Sequence, residues 1–292
     1  MTRFLLLRPR SARFPAILTF VALAVATVVA AANVRFSHVG PAAPVLSGPS
    51  RSTQGSASGG AQGVAILAYH RFGSTVPDSM TIRTATFRWQ LDYLQANHHP
   101  VVPLRTLISF LQGRGPAPPP GAVVITIDDG HRSVFEEALP AIREYKVPVT
   151  LFIYPSAISN AAYAMTWEQL GTLRDTGRFD IQSHTYWHPN FKTEKRRQSP
   201  TEYQAFVTMQ FVKPKTVLEK RLGVHPDLLA WPFGIYDDEL IRMAREAGYA
   251  AGVTLDHRLA TPRDQIMALP RFLITESTSQ KSFISMLPRE TR

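Results

Sequence analysis

From residue 63 onward, short apolar runs rich in β-branched residues alternate with segments in which apolar residues recur at helical spacing. This alternation is typical of parallel strands connected by helices. The predicted strands are Val64–Tyr69, Ala122–Ile127, Val147–Ile153, Phe179–Gln182, Leu228–Trp231, Tyr249–Val253 and Leu269–Ile274. The predicted helices are Thr86–Asn97, Ser133–Tyr145, Thr166–Thr176 (with Thr166 as its N-cap), Thr201–Leu222 and Asp237–Ala247. About seven β/α units favour a closed or nearly closed barrel, although a doubly wound open sheet produces the same local pattern.

The first 62 residues have a different composition. A basic start ending at Arg13 precedes an uncharged run over residues 14–32 that ends in three alanines, which suit signal peptidase. We therefore predict that residues 1–35 are a signal peptide or, because the run is also long enough to span a bilayer, an N-terminal transmembrane anchor. Residues 36–62, rich in Gly, Ser, Pro and Ala, are predicted to be a flexible linker. The signal peptide and the anchor both place the body outside the cytoplasm, in the periplasm, on the cell surface or secreted. A buried core helix is the ordinary alternative for the uncharged run.

The net charge of +10 suggests a nucleic-acid partner only until the charges are located along the chain. Six arginines precede residue 63, where there is no Lys, Asp or Glu, so the remaining chain carries only +4 (ten less six). It has no basic run with interleaved aromatic residues, and we expect no nucleic-acid partner. Cysteine is absent, which excludes disulfides, thiolate metal ligands and a cysteine nucleophile.

Two polar motifs follow predicted strands. Asp128 and Asp129 come directly after an apolar run, and adjacent carboxylates at a strand end suit metal or acid–base work. His184 and His188 follow the strand predicted at 179–182, and two imidazoles four residues apart can meet one cation if the segment forms a helical turn or a tight loop. Each motif alone has an ordinary interpretation, as an Asp-Asp-Gly turn or an incidental histidine pair. Together, at strand ends, they predict a His-His-Asp metal site with positions open for water and substrate.

These residues resemble the motifs of the polysaccharide deacetylase family, also called the NodB-homology domain or carbohydrate esterase family 4. Its first motif, Thr-Phe-Asp-Asp-Gly, is similar to residues 126–130, and its second, His-Ser/Thr-x-x-His, is similar to residues 184–188. Its third, ending in Pro-Tyr/Phe-Gly, is similar to residues 232–234. The resemblance covers about residues 64–275 in the same motif order. It implies that residues 63–292 form one catalytic domain, a distorted (β/α)7-type barrel.

The resemblance also implies roles for individual residues. The family holds a divalent ion, usually zinc, through residues that correspond here to Asp129, His184 and His188. Asp128 corresponds to the general base, and Phe233 would contribute a backbone N–H to the oxyanion site. The chemistry is coherent, because the ion polarises the acetamide carbonyl and acidifies a water while a free carboxylate removes that water's proton.

The sequence departs from the family in the histidine that acts as general acid. Members usually carry it in a late Leu-x-His motif, for which the C-terminal part of this chain offers only His257. The end of the first predicted strand, Tyr69-His70, instead resembles the branch that deacetylates poly-β-1,6-N-acetylglucosamine, where an N-terminal Tyr-His supplies this histidine. We favour His70 over His257 as the acid. A structural histidine, hydrogen-bonded in a loop, is the ordinary alternative for His70.

A second departure concerns the arginine that often stands two residues before the proline of the third motif, where this chain has Ala230. Arg271, at the end of another predicted strand region, is a candidate substitute that would orient the catalytic carboxylate, or else an ordinary surface arginine. Trp187, Trp231 and Phe233 are candidates for lining the sugar site, since aromatic faces pack on pyranose rings. A core role is the alternative for Trp231 and Phe233.

The sequence thus favours a metal-dependent hydrolase that removes N-acetyl groups from an extracytoplasmic N-acetylglucosamine polymer, with poly-β-1,6-N-acetylglucosamine exopolysaccharide as the leading substrate. Peptidoglycan and chitin-type polymers are alternative substrates. The missing motif arginine leaves an inactive, envelope-tethered carbohydrate-binding protein as a hypothesis from a different class. We expect a monomeric catalytic domain, tethered through residues 14–32 if the leader is retained.

Overall fold

A computed structural model of the chain describes residues 63–288. The leader predicted at residues 1–35 and the linker predicted at residues 36–62 lie outside this range. Within it, no helix combines the length and the apolar character needed to cross a bilayer.

The core of the fold is a seven-stranded parallel sheet in the order β8-β7-β6-β5-β4-β1-β9, beside a small parallel ribbon of β2 and β3. The strands are β1 Ala65–Tyr69, β2 Arg71–Gly73, β3 Thr81–Arg83, β4 Val123–Ile127, β5 Val149–Ile153, β6 Phe179–Ser183, β7 Leu228–Ala230, β8 Ala251–Val253 and β9 Phe272–Leu273. The α-helices are α1 Thr84–Ala96, α2 Leu104–Leu111, α3 Leu139–Tyr145, α4 Trp167–Asp175, α5 Phe191–Arg197, α6 Pro200–Leu222, α7 Asp238–Glu246 and α8 Gln280–Met286. A π-helical turn, Val134–Ala138, leads into α3, and a 3-10 turn, Pro232–Gly234, follows β7.

The strand order distinguishes the two architectures that the sequence left open. Spatial order follows chain order from β4 to β8, and the last strand, β9, returns to pair with β1. A single bridge, Val253 to Leu269, joins β8 to the segment just before β9, and the Thr254 N–H donates to the Leu269 carbonyl at 2.8 Å. The sheet is therefore curled into an incomplete barrel, which confirms the (β/α)7-type prediction and excludes the doubly wound alternative.

The central strands are buried on both faces, which explains their continuous apolar sequences. Leu67 and Ile125 pack in one cluster with residues of the surrounding helices. Ile66 and Val124, which point to the opposite face, pack with Phe152 and the apolar side of α2.

Most elements begin within one or two residues of the prediction. The N-cap assigned to Thr166 is confirmed, since its hydroxyl accepts from the Gln169 N–H and the Gln169 side chain returns a hydrogen bond in a capping box. The ribbon β2–β3 and the helices α2, α5 and α8 were not predicted; each is eight residues or shorter. The predicted final strand, Leu269–Ile274, is shorter than expected, because regular pairing is limited to Phe272–Leu273.

Candidate active site

The predicted functional residues come together where four strands of the barrel end. His70 follows β1, Asp128 follows β4, His184 follows β6, and Phe233 lies in the turn after β7. Because all these strands are parallel, their carboxyl ends open onto one edge. A cavity of about 330 Å³ lies there. It is lined by His70, Arg71, Met80, Asp128, Asp129, Tyr154, His184, His188, Trp231, Phe233, Leu255 and Leu273.

Asp129, His184 and His188 form the one group of potential metal ligands found among residues 63–288, with their ligand atoms all within 4.8 Å of one another. The Oδ1 atom of Asp129 lies 3.6 Å from Nε2 of His184 and 3.8 Å from Nε2 of His188. Ligand atoms that share one zinc ion at about 2.0–2.2 Å are roughly 3.3–3.6 Å apart, so the side chains are arranged close to the spacing that an ion requires.

Three further observations fit a cation at this position. The Oδ1 atom of Asp129 is buried and has no hydrogen-bond partner among the described residues, although buried polar atoms are normally paired. Nδ1 of His184 lies 2.8 Å from the Ala230 carbonyl, which can only accept a hydrogen bond, so Nδ1 carries the hydrogen of the neutral ring and the Nε2 lone pair is left for a ligand. Burial, followed by the charge of His184, lowers the pKa of His188 to about 4, which leaves this ring neutral near pH 7. The donor set therefore fits a divalent ion.

The segment between the two histidines is a tight loop rather than a helical turn. Thr185 and His188 have positive φ values of 66° and 60°. The Thr185 hydroxyl accepts from the His188 N–H at 3.2 Å, and the side-chain oxygen of Gln210 accepts from two successive backbone N–H groups, those of Tyr186 and Trp187, at 3.1 Å each. Gln210, on α6, is fully buried and was not predicted. Its side chain therefore holds the backbone of the loop between the two histidines in place.

Asp128 is held by Arg271 in a buried, bidentate ion pair. Nη1 and Nη2 of Arg271 lie 2.8 and 2.7 Å from the two carboxylate oxygens, and neither residue has more than 1% of its surface exposed. Arg271 also donates to the Thr254 carbonyl and to the Thr126 hydroxyl, at 2.9 Å each. Burial alone would raise the pKa of Asp128, but the charge of Arg271, then that of His184 and the hydrogen bonds, outweigh it and hold this pKa well below its usual range.

This ion pair decides between the two interpretations of Arg271. A surface arginine is excluded by its complete burial, and so is a direct contact with substrate. The family's motif arginine would orient Asp128 from β7, whereas here Arg271 does so from the segment before β9, at the other end of the strand order. Ala230, which occupies the motif position, provides the carbonyl that pairs with His184. The reason for suspecting an inactive protein is thereby removed.

The two candidate acids occupy different environments. His70 is buried, lines the cavity, and has an Nδ1 atom without a hydrogen-bond partner among the described residues. Burial lowers the pKa of His70, while the nearby charges of Asp128 and Asp129 act in the opposite direction. His257 is exposed, packs its ring edge-on against Phe272 with 4.7 Å between centroids, and does not line the cavity.

The three aromatic candidates also separate. Phe233 is 57% exposed, lines the cavity, and packs its ring against His188 with 4.5 Å between centroids. Trp231 is fully buried, and its Nε1–H donates to the Met267 carbonyl at 2.7 Å, so this residue is part of the cavity floor and of the core. Trp187 is exposed but packs on Phe206 outside the residues that line the cavity.

The family profile described as "Polysaccharide deacetylase" matches residues 115–252, a span that contains the Asp-Asp, His-x-x-x-His and Pro-Phe-Gly motifs. Residues 115–252 therefore match a polysaccharide deacetylase domain. The protein is an N-deacetylase, a hydrolase of amide bonds in N-acetylated glycans.

Individual relatives of this deacetylase are distant in sequence. A poly-β-1,6-N-acetyl-D-glucosamine N-deacetylase of Staphylococcus epidermidis is 24% identical over 207 residues, covering 70% of this chain and 71% of that protein. The enzyme of the same name from Escherichia coli is 23% identical over 261 residues, covering 77% of this chain but only 38% of that longer protein. In structure, the deacetylase PplD of Streptococcus pyogenes, solved with acetate, superposes with a TM-score of 0.69 at 20% identity, covering 77% of this chain and 98% of PplD. The structural match shows the shared fold.

Several residues that line the deacetylase cavity are not among those predicted from the sequence. Tyr154 directly follows β5, and its ring lies 5.4 Å from that of His188 between centroids. Burial, together with a hydrogen bond to Tyr163, raises the pKa of Tyr154, so its hydroxyl stays protonated. A signal was available, because Tyr154 is a polar residue at the carboxyl end of a predicted strand. Met80, Leu255 and Leu273 carry no comparable signal, since they are apolar residues of loops and of a short edge strand.

Proposed function

We propose that this deacetylase removes N-acetyl groups from poly-β-1,6-N-acetylglucosamine outside the cytoplasm, with a zinc ion held by Asp129, His184 and His188. The observation that carries the proposal is the position of His70, which follows β1 and lines the same cavity as the ligand triad. An acid from this strand is the feature that the sequence shares with the β-1,6 branch, and the relatives from Staphylococcus epidermidis and Escherichia coli bear that activity in their names.

The proposed reaction is hydrolysis of the acetamide. A zinc ion held by Asp129, His184 and His188 would supply polarisation of the carbonyl and a bound water of lowered pKa. Asp128 accepts the proton of the attacking water as its oxygen adds to the carbonyl carbon. As the C–N bond breaks, His70 gives its proton to the nitrogen, and the products are acetate and the free amine on the sugar.

Arg271 sets the properties of the proposed base. Its two hydrogen bonds fix the carboxylate plane of Asp128 and keep this residue ionised at every physiological pH. A carboxylate with both oxygens already paired is a weaker base than a free one, so the catalytic benefit here is position rather than basicity. The exposed ring of Phe233 offers an apolar surface beside the triad, and its backbone N–H is the proposed oxyanion donor.

The proposed location rests on the sequence before residue 63. The basic start, the uncharged run over residues 14–32 and the polar linker support export, with either cleavage or retention as an inner-membrane tether. A polymer that is assembled outside the cytoplasm is accessible to a domain exported in this way.

The test is a comparison of substrates with the purified full-length protein in detergent. Acetate release is measured on β-1,6-linked N-acetylglucosamine oligomers, on chitin oligomers of equal length and on peptidoglycan, with zinc present. We expect kcat/KM to be at least tenfold higher on the β-1,6 series, because linkage geometry changes how the neighbouring sugars meet the surface. The D128N variant is the control that ties the acetate to this cavity. Faster release from chitin or peptidoglycan would refute the proposed polymer and leave the reaction class intact.

A further inference from the structure

The two histidines of the ligand triad are held in different ways. The His184 ring is oriented by the Ala230 carbonyl, 2.8 Å from Nδ1, and its backbone N–H donates to the Ile153 carbonyl of the sheet. In the described part of the chain no hydrogen bond orients the His188 ring, whose Nε2 lies 3.8 Å from Oδ1 of Asp129. Metal-ligating histidines are normally oriented by a hydrogen bond from the second ring nitrogen. The position of His188 therefore depends on packing and on the backbone of its loop.

The backbone of that loop needs support from outside the loop. Thr185 and His188 have left-handed φ, which non-glycine residues keep only where the surrounding structure imposes it. The two residues between them donate their N–H groups to a single atom, Oε1 of Gln210, at 3.1 Å each. The Tyr186 carbonyl accepts from the Ser156 N–H at 3.1 Å. Gln210 thus satisfies two successive donors of the segment that presents His188.

The surroundings of Gln210 fit it for this role. It is fully buried on α6, a helix of 23 residues. The next residue, Phe211, packs its ring against Trp231 and Tyr249, with 5.9 and 6.1 Å between centroids. The amide nitrogen of Gln210 has only a 3.9 Å contact with the sulfur of Met209, so its oxygen provides the strong contacts. A neutral acceptor on a well-packed helix can fix two backbone N–H groups without adding a charge to the buried loop.

We propose that Gln210 is a positioning residue of the metal centre, which acts through His188 by fixing the loop backbone that presents this ligand. The inference rests on the proposed function, since it takes the triad to be the zinc site. Without Gln210, two N–H groups lose their acceptor, and the loop is free to leave the left-handed conformation. His184 keeps its own anchors, so a zinc ion would be left with Asp129 and His184.

The experiment measures zinc affinity rather than turnover. The full-length wild type, Q210L and Q210E, in detergent and without substrate, compete for zinc with a chromogenic chelator. Leucine removes the acceptor, and we expect Q210L to bind zinc about 10–100-fold more weakly, the effect typical of losing a residue that supports a metal ligand. Glutamate keeps an acceptor oxygen at the same place whether or not it is protonated, so Q210E should retain most of the wild-type affinity. The visible spectrum of the cobalt(II) form is the second measurement, and Q210L should resemble H188A.

Gln182 provides a matched control. It is also a buried glutamine whose Oε1 accepts from two successive backbone N–H groups, those of Asp227 and Leu228, at 3.0 and 2.9 Å. These groups lie at the start of β7, at the edge of the sheet opposite the triad. Q210L and Q182L should both lower Tm, because each leaves two N–H groups without their acceptor. Zinc affinity should fall in Q210L and keep its wild-type value in Q182L.

A double variant shows whether the effect passes through His188. In H188A the ligand that Gln210 positions is already absent, so Q210L/H188A should bind zinc no more weakly than H188A alone. Losses of affinity that multiply in the double variant would show that Gln210 acts elsewhere and would refute the inference.

The other outcomes also separate this inference from the proposed function. Wild-type zinc affinity in Q210L refutes the positioning role, and so does a loss in Q182L or Q210E as large as that in Q210L. Each of these results leaves the triad and the proposed reaction intact. A wild-type protein that binds no zinc refutes the proposed ion, and the role of Gln210 with it.

Discussion

Replacing Arg271 by methionine tests whether the buried ion pair with Asp128 supports the fold as well as the site. Methionine keeps most of the side-chain volume, so the change removes charge and hydrogen bonds with little loss of packing. The guanidinium donates hydrogen bonds to three groups, which are the carboxylate of Asp128 (through both oxygens), the Thr254 carbonyl and the Thr126 hydroxyl. In R271M a buried carboxylate would remain without its partner.

Breaking a buried ion pair by removing one member typically costs about 3–5 kcal/mol. For a domain of this size each kcal/mol lowers Tm by roughly 2–4 °C, so we expect a fall of roughly 6–20 °C. The matched control is Arg105, which also makes hydrogen bonds to two carboxylates, those of Asp180 and Asp227, but is 46% exposed in its side chain. R105M should cost about 1 kcal/mol or less, because exposed ion pairs contribute little.

The assay is thermal unfolding of full-length wild type, R271M and R105M in excess chelator, so that ion binding does not contribute. The pKa of Asp128 is lower in the folded state than in the unfolded chain, where it is near 4. The ion pair therefore contributes to the free energy of unfolding above about pH 4, and this contribution is lost as the pH falls further. In R271M the unpaired, buried Asp128 has a raised pKa, and protonation relieves it as pH falls. The difference in Tm between wild type and R271M should therefore become smaller as the pH is lowered from 7 to 4.

Two results would refute this reasoning. One is a loss in R271M no larger than that in R105M at pH 7. The other is a gap that stays constant or widens on acidification. The double variant D128N/R271M, which removes both charges, should recover part of the stability lost in R271M, and additive losses would contradict the pairing.

Three further predictions concern the proposed chemistry. Chelation should abolish acetate release and added zinc should restore it, and unchanged turnover in metal-stripped protein would remove the basis of the mechanism. D128N should retain the ion by metal analysis and lose most activity, whereas His184→Ala should lose the ion; equal metal loss in both would reassign Asp128 as a ligand. His70→Ala should reduce kcat by about 10²–10⁴-fold with metal content intact and with the alkaline limb of the pH–rate profile lost or moved, while His257→Ala should have a much smaller effect. A larger loss in His257→Ala would make His70 structural.

The barrel was predictable because its evidence is periodic. Each central strand is a continuous apolar run, and each long helix has an amphipathic repeat, so alternation along the chain was enough to give the class. The rule that parallel strands end on one edge then brought Asp128, His184 and His70 to one place before any contact was known. Short elements such as α2 and the β2–β3 ribbon escaped, since eight residues or fewer give too little repetition.

The contacts that shape the site were less predictable, because they join residues far apart in the chain. Arg271 and Asp128 are separated by 143 positions, and only the return of β9 to β1 brings the arginine to the carboxylate. Gln210 supports the histidine loop from a helix that begins after the motif ends. A single arginine or glutamine belongs to no sequence pattern from which its hydrogen-bond partner could be predicted.

The backbone of the motif loops shows why local preferences fail at this site. Seven non-glycine residues in the described part of the chain have left-handed φ, and four of them lie in the motif loops: Asp129, Thr185, His188 and Phe233. Each such conformation costs on the order of 1–3 kcal/mol and persists only where surrounding structure imposes it. The sheet holds the residue just before two of these positions, since the Asp128 N–H donates to the Tyr69 carbonyl and the His184 N–H to the Ile153 carbonyl, at 2.9 and 2.8 Å. Asp129, His188 and Phe233 all line the catalytic cavity. Backbone preference alone would favour glycine at these four positions. Finding metal-ligand side chains and an aromatic ring there instead indicates that function, and not local stability, selects these residues.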